Sequence, residues 1–279
     1  MKMSGMKMGN NRRRTAALFL LALGFLAAIT LAGQLFAEAA VTSDFSRKNL
    51  APCLAYPFGT DWLGRDMFVR TLAGLSMSIR LGLLAAGVSA LIALLLGILS
   101  AVGGKTLDGI ITWIIDLVMG SPHILLLILI SYACGKGFKG VVIGVSLTHW
   151  TSLARLIRGE VLQLKEATYI KVAGKLGMSK WQIACRHMLP HLFPQFLVGL
   201  ILLFPHAILH EASITFLGFG LSPEKPAIGV ILSESMKYLS MGKWWLALFP
   251  GLLLVLTVAL FDLAGESLRR LIDPGSAHE

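Results

Sequence analysis

Two histidines inside an apolar stretch are the residues of this sequence best suited to chemistry. His206 and His210 are four positions apart in the apolar run 195–218, so on a helix both imidazole rings lie on one face. Two imidazoles at this spacing chelate a divalent metal ion. We therefore predict that His206 and His210 hold a metal transiently. The alternative, two packing histidines that form hydrogen bonds to neighbouring helices, stays open.

Four more polar residues interrupt apolar stretches of the chain. They are Asp116, His123, His149 and Glu211. Polar side chains placed in lipid are costly, and they often mark the path of a transported solute. We predict that Asp116, His149 and Glu211 line such a pathway together with the histidine pair, and we interpret His123 as a packing residue. A packing role is the alternative for each of the others.

Motifs for catalysis and nucleotide binding are incomplete. Gly-Gly-Lys-Thr at 103–106 lacks the upstream glycine of a phosphate-binding loop, because that position is Leu99. His210 and Glu211 begin a zinc-protease pattern, but its second histidine falls on Ile214. We therefore expect neither catalysis nor a resident cofactor in this chain.

Composition places the chain in a membrane. Charged residues make up 14% of its 279 positions, against about 25% in ordinary soluble domains. Hydrophobic residues make up 56%, and mean hydropathy is +0.75. These values exclude a soluble enzyme, a disordered chain and a disulfide scaffold. Cys53, Cys134 and Cys185 match no zinc-site spacing, and a Cys53–Cys134 disulfide is left open.

Uncharged or nearly uncharged runs predict six membrane-crossing helices. The runs are 15–37, 81–102, 109–133, 140–154, 195–218 and 244–265. Six crossings place both termini on one side, and fifteen of the 25 Lys and Arg residues fall on that side. Because positive charge marks cytoplasmic segments, we expect both termini in the cytoplasm. The net charge of +10 is then topogenic, and no nucleic-acid partner is expected.

This division predicts an order of segments along the chain. They are a basic cytoplasmic tail 1–14, a first helix 15–37, an external segment 38–80, a five-helix core 81–268 with a cytoplasmic loop 155–194, and a cytoplasmic tail 269–279. Helical spacing of apolar residues from Leu63 to Ile79 predicts an amphipathic helix along the membrane interface. Thr60 or Asp61 is its expected N-cap.

The loop 155–194 is basic but has helical apolar spacing, so we expect it to fold. A helix should break at Gly177, where a residue without a Cβ adopts positive φ. A second short helix should stop at Leu189 and Pro190. Such a unit can dock into a groove on another protein. A basic loop lying on anionic lipid is the alternative.

This loop resembles the coupling-loop signature Glu-Ala-Ala-x3-Gly-x9-Ile-x-Leu-Pro of bacterial ABC importer permeases. Gly177, Leu189 and Pro190 match in identity and spacing, whereas 171–173 reads Lys-Val-Ala and His187 stands at the isoleucine. The first position therefore carries the opposite charge.

Other segments resemble the dipeptide/oligopeptide/nickel permease family in the same order. They are Gly-Thr-Asp-x-x-Gly-Arg-Asp at 59–66, Thr-Phe-Leu-Gly-Phe-Gly at 215–220, Phe-Pro-Gly at 249–251 and Leu-Ile-Asp-Pro at 271–274. His-x3-His followed by Phe-Leu-Gly is similar to the nickel-permease branch.

The resemblance implies an all-α type I ABC importer membrane domain in the bacterial inner membrane. It implies four kinds of partner: a second homologous permease subunit in a heterodimer, two ATP-binding subunits that hold ATP and magnesium, an external solute-binding protein, and membrane lipid. The implied coupling residues are Glu166, Lys171, Ala173, Gly174, Gly177, His187, Leu189 and Pro190. The external motif comprises Gly59, Thr60, Asp61, Gly64, Arg65 and Asp66.

Resemblance and histidines together predict binding-protein-dependent transport of nickel or a nickel chelate. A di- or oligopeptide cargo in the same architecture is the first alternative. A metal transporter driven by an ion gradient is a second, with Asp116, His149 and Glu211 as a proton relay. That alternative leaves the basic loop without a purpose.

Overall fold

The computed structural model describes residues 11–272, and every helix and turn below lies in that range. Residues 1–10 and 273–279 of the two predicted tails, with Asp273 and Pro274, lie outside it. The described helices are α1 (Asn11–Leu35), α2 (Met67–Val102), α3 (Lys105–Gly120), α4 (His123–Ala133), α5 (Gly137–Glu166), α6 (Thr168–Lys175), α7 (Lys180–Ile183), α8 (Leu189–Phe216), α9 (Ile228–Met236) and α10 (Trp245–Ile272). The described chain is thus all-helical apart from turns and loops, as predicted.

Five continuous helices are long and apolar enough to cross a membrane. They are α1, α2, α5, the combined helix Lys180–Phe216, and α10. The pair α3 and α4 makes a sixth span if its two bent parts are counted together. The six predicted crossings therefore correspond to five helices and one broken pair.

The third predicted crossing, 109–133, is not one straight helix. α3 and α4 meet at an angle of 103°. Ser121 between them is extended, with ψ at 147°, because the proline that follows disfavours helical backbone at the preceding residue. Pro122 also lacks an amide hydrogen that could continue the ladder of α3. The bend makes His123 the first residue of α4.

The predicted interfacial helix is wrong, because α2 is one helix that begins at Met67 and runs to Val102. Its N-cap is Asp66, whose carboxylate accepts hydrogen bonds from the backbone of Phe68 at 2.8 Å and Val69 at 3.4 Å. Thr60 and Asp61 therefore do not cap it. Apolar residues predicted to face the interface instead enter the protein core, since Leu75 and Ile79 are buried.

Small residues bring α2 and α5 into close contact. The Ser89 hydroxyl donates to the Ser146 carbonyl at 3.0 Å, and the Ser146 hydroxyl donates to the Ala85 carbonyl at 3.3 Å. The buried face of α2 carries alanine, serine and glycine in successive helical turns. A Cβ on Gly97 of this face would stand 2.9 Å from Ile157 of α5. Close approach through small residues is how membrane helices gain packing contacts. The contact fixes the position of the α5 segment that follows Ser146.

α8 is packed from several sides. It contacts α2, α5, α9 and α10. A Cβ on Gly229 of α9 would stand 2.4 Å from the Ala212 carbonyl, so only glycine permits this approach. Phe204 of α8 stacks on Phe261 of α10 with ring centroids 4.5 Å apart. These contacts hold the middle of α8 beside α5 and α4.

Candidate functional site

Three histidines from three helices meet in the membrane-spanning part of the chain. They are His123 at the start of α4, His149 in the middle of α5 and His210 in α8. Ring centroids are 4.8 Å apart for His123 and His149, 4.5 Å for His123 and His210, and 5.0 Å for His149 and His210. One ligand nitrogen from each lies within 4.8 Å of the other two. We call this group the histidine cluster.

Backbone hydrogen bonding sets the orientation of His149. Its Nδ1 lies 3.0 Å from the Val145 carbonyl and 3.0 Å from the Thr148 hydroxyl oxygen. Because a carbonyl oxygen only accepts, the contact with Val145 is a hydrogen bond in the tautomer that carries its hydrogen on Nδ1. Nε2 then carries the free lone pair, and it is buried without a hydrogen-bond partner. The Nε2 atom of His123 is also buried without a partner. Two buried nitrogens of the cluster are therefore available to a ligand.

The predicted His206–His210 pair is replaced by a larger grouping. His210 is brought together with His123 and His149, whereas His206, one turn earlier on α8, has an exposed side chain. Sequence reasoning assigned His123 to packing. The Ser-Pro pair before it was the available signal, because it breaks the helix there and turns α4 toward α5 and α8.

Glu211 and Asp116, also predicted to line the pathway, lie apart from the histidine cluster. Glu211 is fully buried, and its carboxylate accepts a hydrogen bond from the Thr215 hydroxyl at 2.9 Å. Thr215 in turn accepts from the Leu221 backbone at 3.2 Å, so Glu211 supports the turn after α8. Asp116 forms an exposed ion pair with Arg155 at 2.6 Å, which links α3 to α5.

The predicted coupling loop consists of the end of α5, then α6, α7 and a π-helical turn, Ala184–Met188. We call residues 166–190 the coupling segment. Its predicted helix break is confirmed, since α6 ends at Lys175 and Gly177 has φ +89°. The predicted stop at Leu189 and Pro190 is wrong. The π turn leads directly into α8, so Pro190 lies in the first turn of α8, at a junction inside the combined helix Lys180–Phe216.

The coupling segment is folded and exposes apolar side chains. Its inner face buries Ile170, Ala173 and Ile183. Its outer face includes Leu176 at 79% and Trp181 at 57% exposure. The remaining exposed apolar residues of this face are Tyr169 and Val172. We call these four side chains the exposed apolar face.

The other predicted coupling residues lie around this face. Lys171, at the position where the signature has glutamate, forms an exposed ion pair with Glu166 at 2.7 Å. The His187 ring lies 6.3 Å from the Tyr169 ring. A Cβ on Gly174 would stand 3.9 Å from the Ile183 side chain. The segment is thus held by its own short-range contacts.

The predicted external motif forms a buried network of charges. The Asp61 carboxylate accepts from Arg65 Nε at 2.6 Å and from Arg70 at 2.9 Å. Glu234 of α9 pairs with the same two arginines, at 3.3 Å and 2.8 Å. The network ties the external segment to α2 and α9. Burial and the nearby Asp61 and Glu234 carboxylates raise the pKa of the Tyr238 phenol.

The other residues of the external motif shape its turns. Gly59 and Gly64 have φ values of +71° and +75°. Thr60 is fully buried, and its hydroxyl accepts from the Leu50 backbone at 2.9 Å. Cys53, Cys134 and Cys185 are free and exposed, so the disulfide left open by the sequence is not formed in the structure.

The chain is similar to known transport proteins. Residues 93–278 match the family described as binding-protein-dependent transport system inner membrane component. The chain is 31% identical over 268 residues to the dipeptide transport system permease protein DppC of Bacillus subtilis (strain 168), covering 96% of this chain and 83% of that protein. It is 34% identical over 236 residues to the oligopeptide transport system permease protein OppC of the same organism, covering 83% and 77%.

The fold is also similar to that of a solved structure. A chain of the MetNI methionine ABC transporter in an inward-facing conformation superposes with a TM-score of 0.62 at 18% identity. The superposition covers 74% of this chain and 98% of that one. At this identity the likeness concerns the fold alone.

Proposed function

Because the chain belongs to the family of binding-protein-dependent transport system inner membrane components, we propose that it forms half of the pathway of an ATP-driven importer. The observation that carries the proposal is the exposed apolar face of the coupling segment. Exposed apolar side chains on a folded unit mark a surface that binds another protein. In this proposal the partner is an ATP-binding subunit, and all catalysis takes place there.

The position of the coupling segment supports a mechanical role. It joins the end of α5 to the start of α8. α5 carries His149, and the continuous helix Lys180–Phe216 carries His210. A movement of the coupling segment is therefore passed along two helices to the histidine cluster. Rigid-body movement of packed helices is a known way to switch a pathway between two states.

The remaining partners and the orientation follow from the same proposal. A second, related permease subunit would cover the apolar helix surfaces that this chain exposes. A solute-binding protein would dock on the side of the external segment. The coupling segment and both termini would face the cytoplasm, as the distribution of Lys and Arg favours.

The relatives favour a peptide as cargo. The two permeases described above are named for dipeptide and oligopeptide transport. The nickel cargo predicted from sequence has no support from these names. We therefore propose a di- or oligopeptide as the first candidate cargo.

Nickel or a nickel chelate is the second candidate, and one observation favours it. The histidine cluster places three imidazoles on the helices that would line the pathway, and imidazole nitrogen suits nickel. A peptide needs no such group.

Uptake by the intact importer tests both the function and the cargo. The chain would be purified with its partner subunits and reconstituted in vesicles with a solute-binding protein. We expect uptake of labelled solute that requires ATP. Competition between radioactive nickel and unlabelled di- and oligopeptides identifies the cargo. Uptake by the chain alone, driven by an ion gradient, would refute the proposal and support the gradient-driven alternative.

A further inference from the structure

We propose that His123, His149 and His210 are the protein ligands of a site for one divalent ion of a late first-row transition metal. In the part of the chain that the structure describes, this is the one group of three or more His, Cys, Asp or Glu side chains with ligand atoms close enough to share an ion. Its purpose in transport rests on the proposed function, whereas metal binding itself does not.

The unpartnered nitrogens are the first argument for a ligand. His149 is 93% buried, since its exposed fraction is 7%, and its Nε2 atom has no hydrogen-bond partner. The Nε2 atom of His123 is also buried and has no hydrogen-bond partner. Buried polar atoms are nearly always satisfied in folded proteins, so two such atoms side by side point to a missing partner. A cation bound to both lone pairs would supply it.

The second argument is the orientation of the rings. With its hydrogen on Nδ1, His149 donates to the Val145 carbonyl at 3.0 Å. Histidines that bind metal typically donate their other ring nitrogen to a carbonyl or carboxylate in this way, which fixes the tautomer and aims the lone pair. The backbone of α5 thus already holds His149 in the form that a metal requires.

The chemistry of the ligands selects the metal class. The cluster offers nitrogen only. Glu211, which lies apart from it, accepts from the Thr215 hydroxyl through Oε1 at 2.9 Å, and its Oε2 atom is buried without a partner. Magnesium and calcium prefer oxygen ligands, whereas imidazole suits nickel, copper, zinc and their neighbours. Three protein ligands leave at least one coordination position for water or for a donor atom of a chelator or peptide.

Binding requires a small movement of the side chains. Three nitrogens at about 2.05 Å from a tetrahedral ion are roughly 3.3 Å apart. The ligand nitrogens in the structure are at most 4.8 Å apart, so they must approach each other by up to roughly 1.5 Å. Rotations about the side-chain bonds supply this distance without moving the helices.

The three ligands also give the site a way to release its ion. His149 and His210 lie on the two helices that flank the coupling segment, whereas His123 lies on α4 beyond the bend at Pro122. If the coupling segment shifts α5 and α8 relative to α4, the site loses one of its three ligands. Affinity falls, and the ion passes to the other side of the membrane.

Direct metal binding to the full chain tests the site. The purified chain in detergent would be titrated with Co²⁺, whose visible absorption reports nitrogen ligands, and with Ni²⁺. We expect one ion per chain. The variants His123→Gln, His149→Gln and His210→Gln should each weaken binding at least tenfold. Size-exclusion chromatography shows which variants remain folded.

Two matched variants separate the cluster from other histidines. His206→Gln removes the exposed histidine one turn from His210, and His191→Gln removes one at the start of α8. Both should bind Co²⁺ like the unaltered chain. No binding by the unaltered chain, or equal loss in His206→Gln and His149→Gln, would overturn the proposal.

Uptake measurements on the intact importer keep the two proposals apart. If the chain binds no metal but the importer moves peptide with ATP, the metal site is wrong and the transport function stands. If the chain binds Co²⁺ through the cluster but no ATP-driven uptake occurs, the metal site stands and the transport function is wrong. Loss of nickel uptake in His149→Gln, with ATP hydrolysis retained, would support both.

Discussion

Replacement of Asp61 by asparagine should destabilise the protein strongly. Asp61 is only 4% exposed, and its Oδ2 atom contacts Arg65 Nε at 2.6 Å and Arg70 at 2.9 Å. Asparagine has nearly the same shape but no charge. Two guanidinium groups, of which Arg70 is almost completely buried, would then share Glu234 as their single carboxylate.

The expected cost follows from the type of contact that is lost. Removing one partner of a buried ion pair costs about 3–5 kcal/mol, because an uncompensated charge stays buried. For a chain of this size that loss lowers the midpoint of thermal unfolding by on the order of 10 °C. The midpoint would be measured in detergent by the change in tryptophan fluorescence.

Two further variants control the interpretation. Asp44→Asn lies in the same external segment but breaks an exposed pair with Arg47, so the midpoint should barely change. The double variant Asp61→Asn/Arg65→Gln removes one charge of each sign and should recover part of the loss. If Asp61→Asn unfolds at the same temperature as Asp44→Asn, the buried network does not hold the external segment in place.

Three other substitutions test the coupling segment and the helix packing. Gly177→Val forces a β-branched residue to φ +89°, at a cost of about 1–2 kcal/mol, and should reduce the uptake per ATP hydrolysed. The control Gly159→Ala lies in open space on α5 and should leave this ratio unchanged. Leu176→Glu places a charge on the exposed apolar face and should reduce the amount of ATP-binding subunit that co-purifies with the chain; unchanged co-purification would contradict the docking surface. Gly229→Val places its Cβ 2.4 Å from an α8 carbonyl and should lower the unfolding midpoint. Its control is Gly87→Val, whose Cβ meets no atom within 4 Å.

Local features of the fold were predictable because their causes lie in neighbouring residues. Apolar runs of sufficient length predict helices that cross a membrane, whatever the helices later pack against. The break at Gly177 was predictable for the same reason, since positive φ is a property of that residue and its immediate neighbours. The order of motifs placed the chain among importer permeases before any geometry was known.

Features that depend on distant contacts were not predictable in this way. Apolar spacing around Met67 is the same for an interfacial helix and for the buried start of a long one, and the contacts of Leu75 and Ile79 decide between them. Pro190 is compatible with both the end and the beginning of a helix. The preceding π turn carries the chain directly into α8, so Pro190 lies inside the combined helix Lys180–Phe216 and does not end a helix.

The histidine cluster shows the division between sequence and tertiary structure most clearly. Apolar runs in the sequence predict that several histidines lie in membrane helices, where each needs a partner. The sequence favoured His206 as the partner of His210, because helical spacing relates only residues on one helix. The tertiary structure joined His210 to His123 and His149 instead. The bend of 103° between α3 and α4 positions His123, and the close packing of α2 on α5 positions His149. The distances between α4, α5 and α8 depend on such contacts, which no local pattern contains.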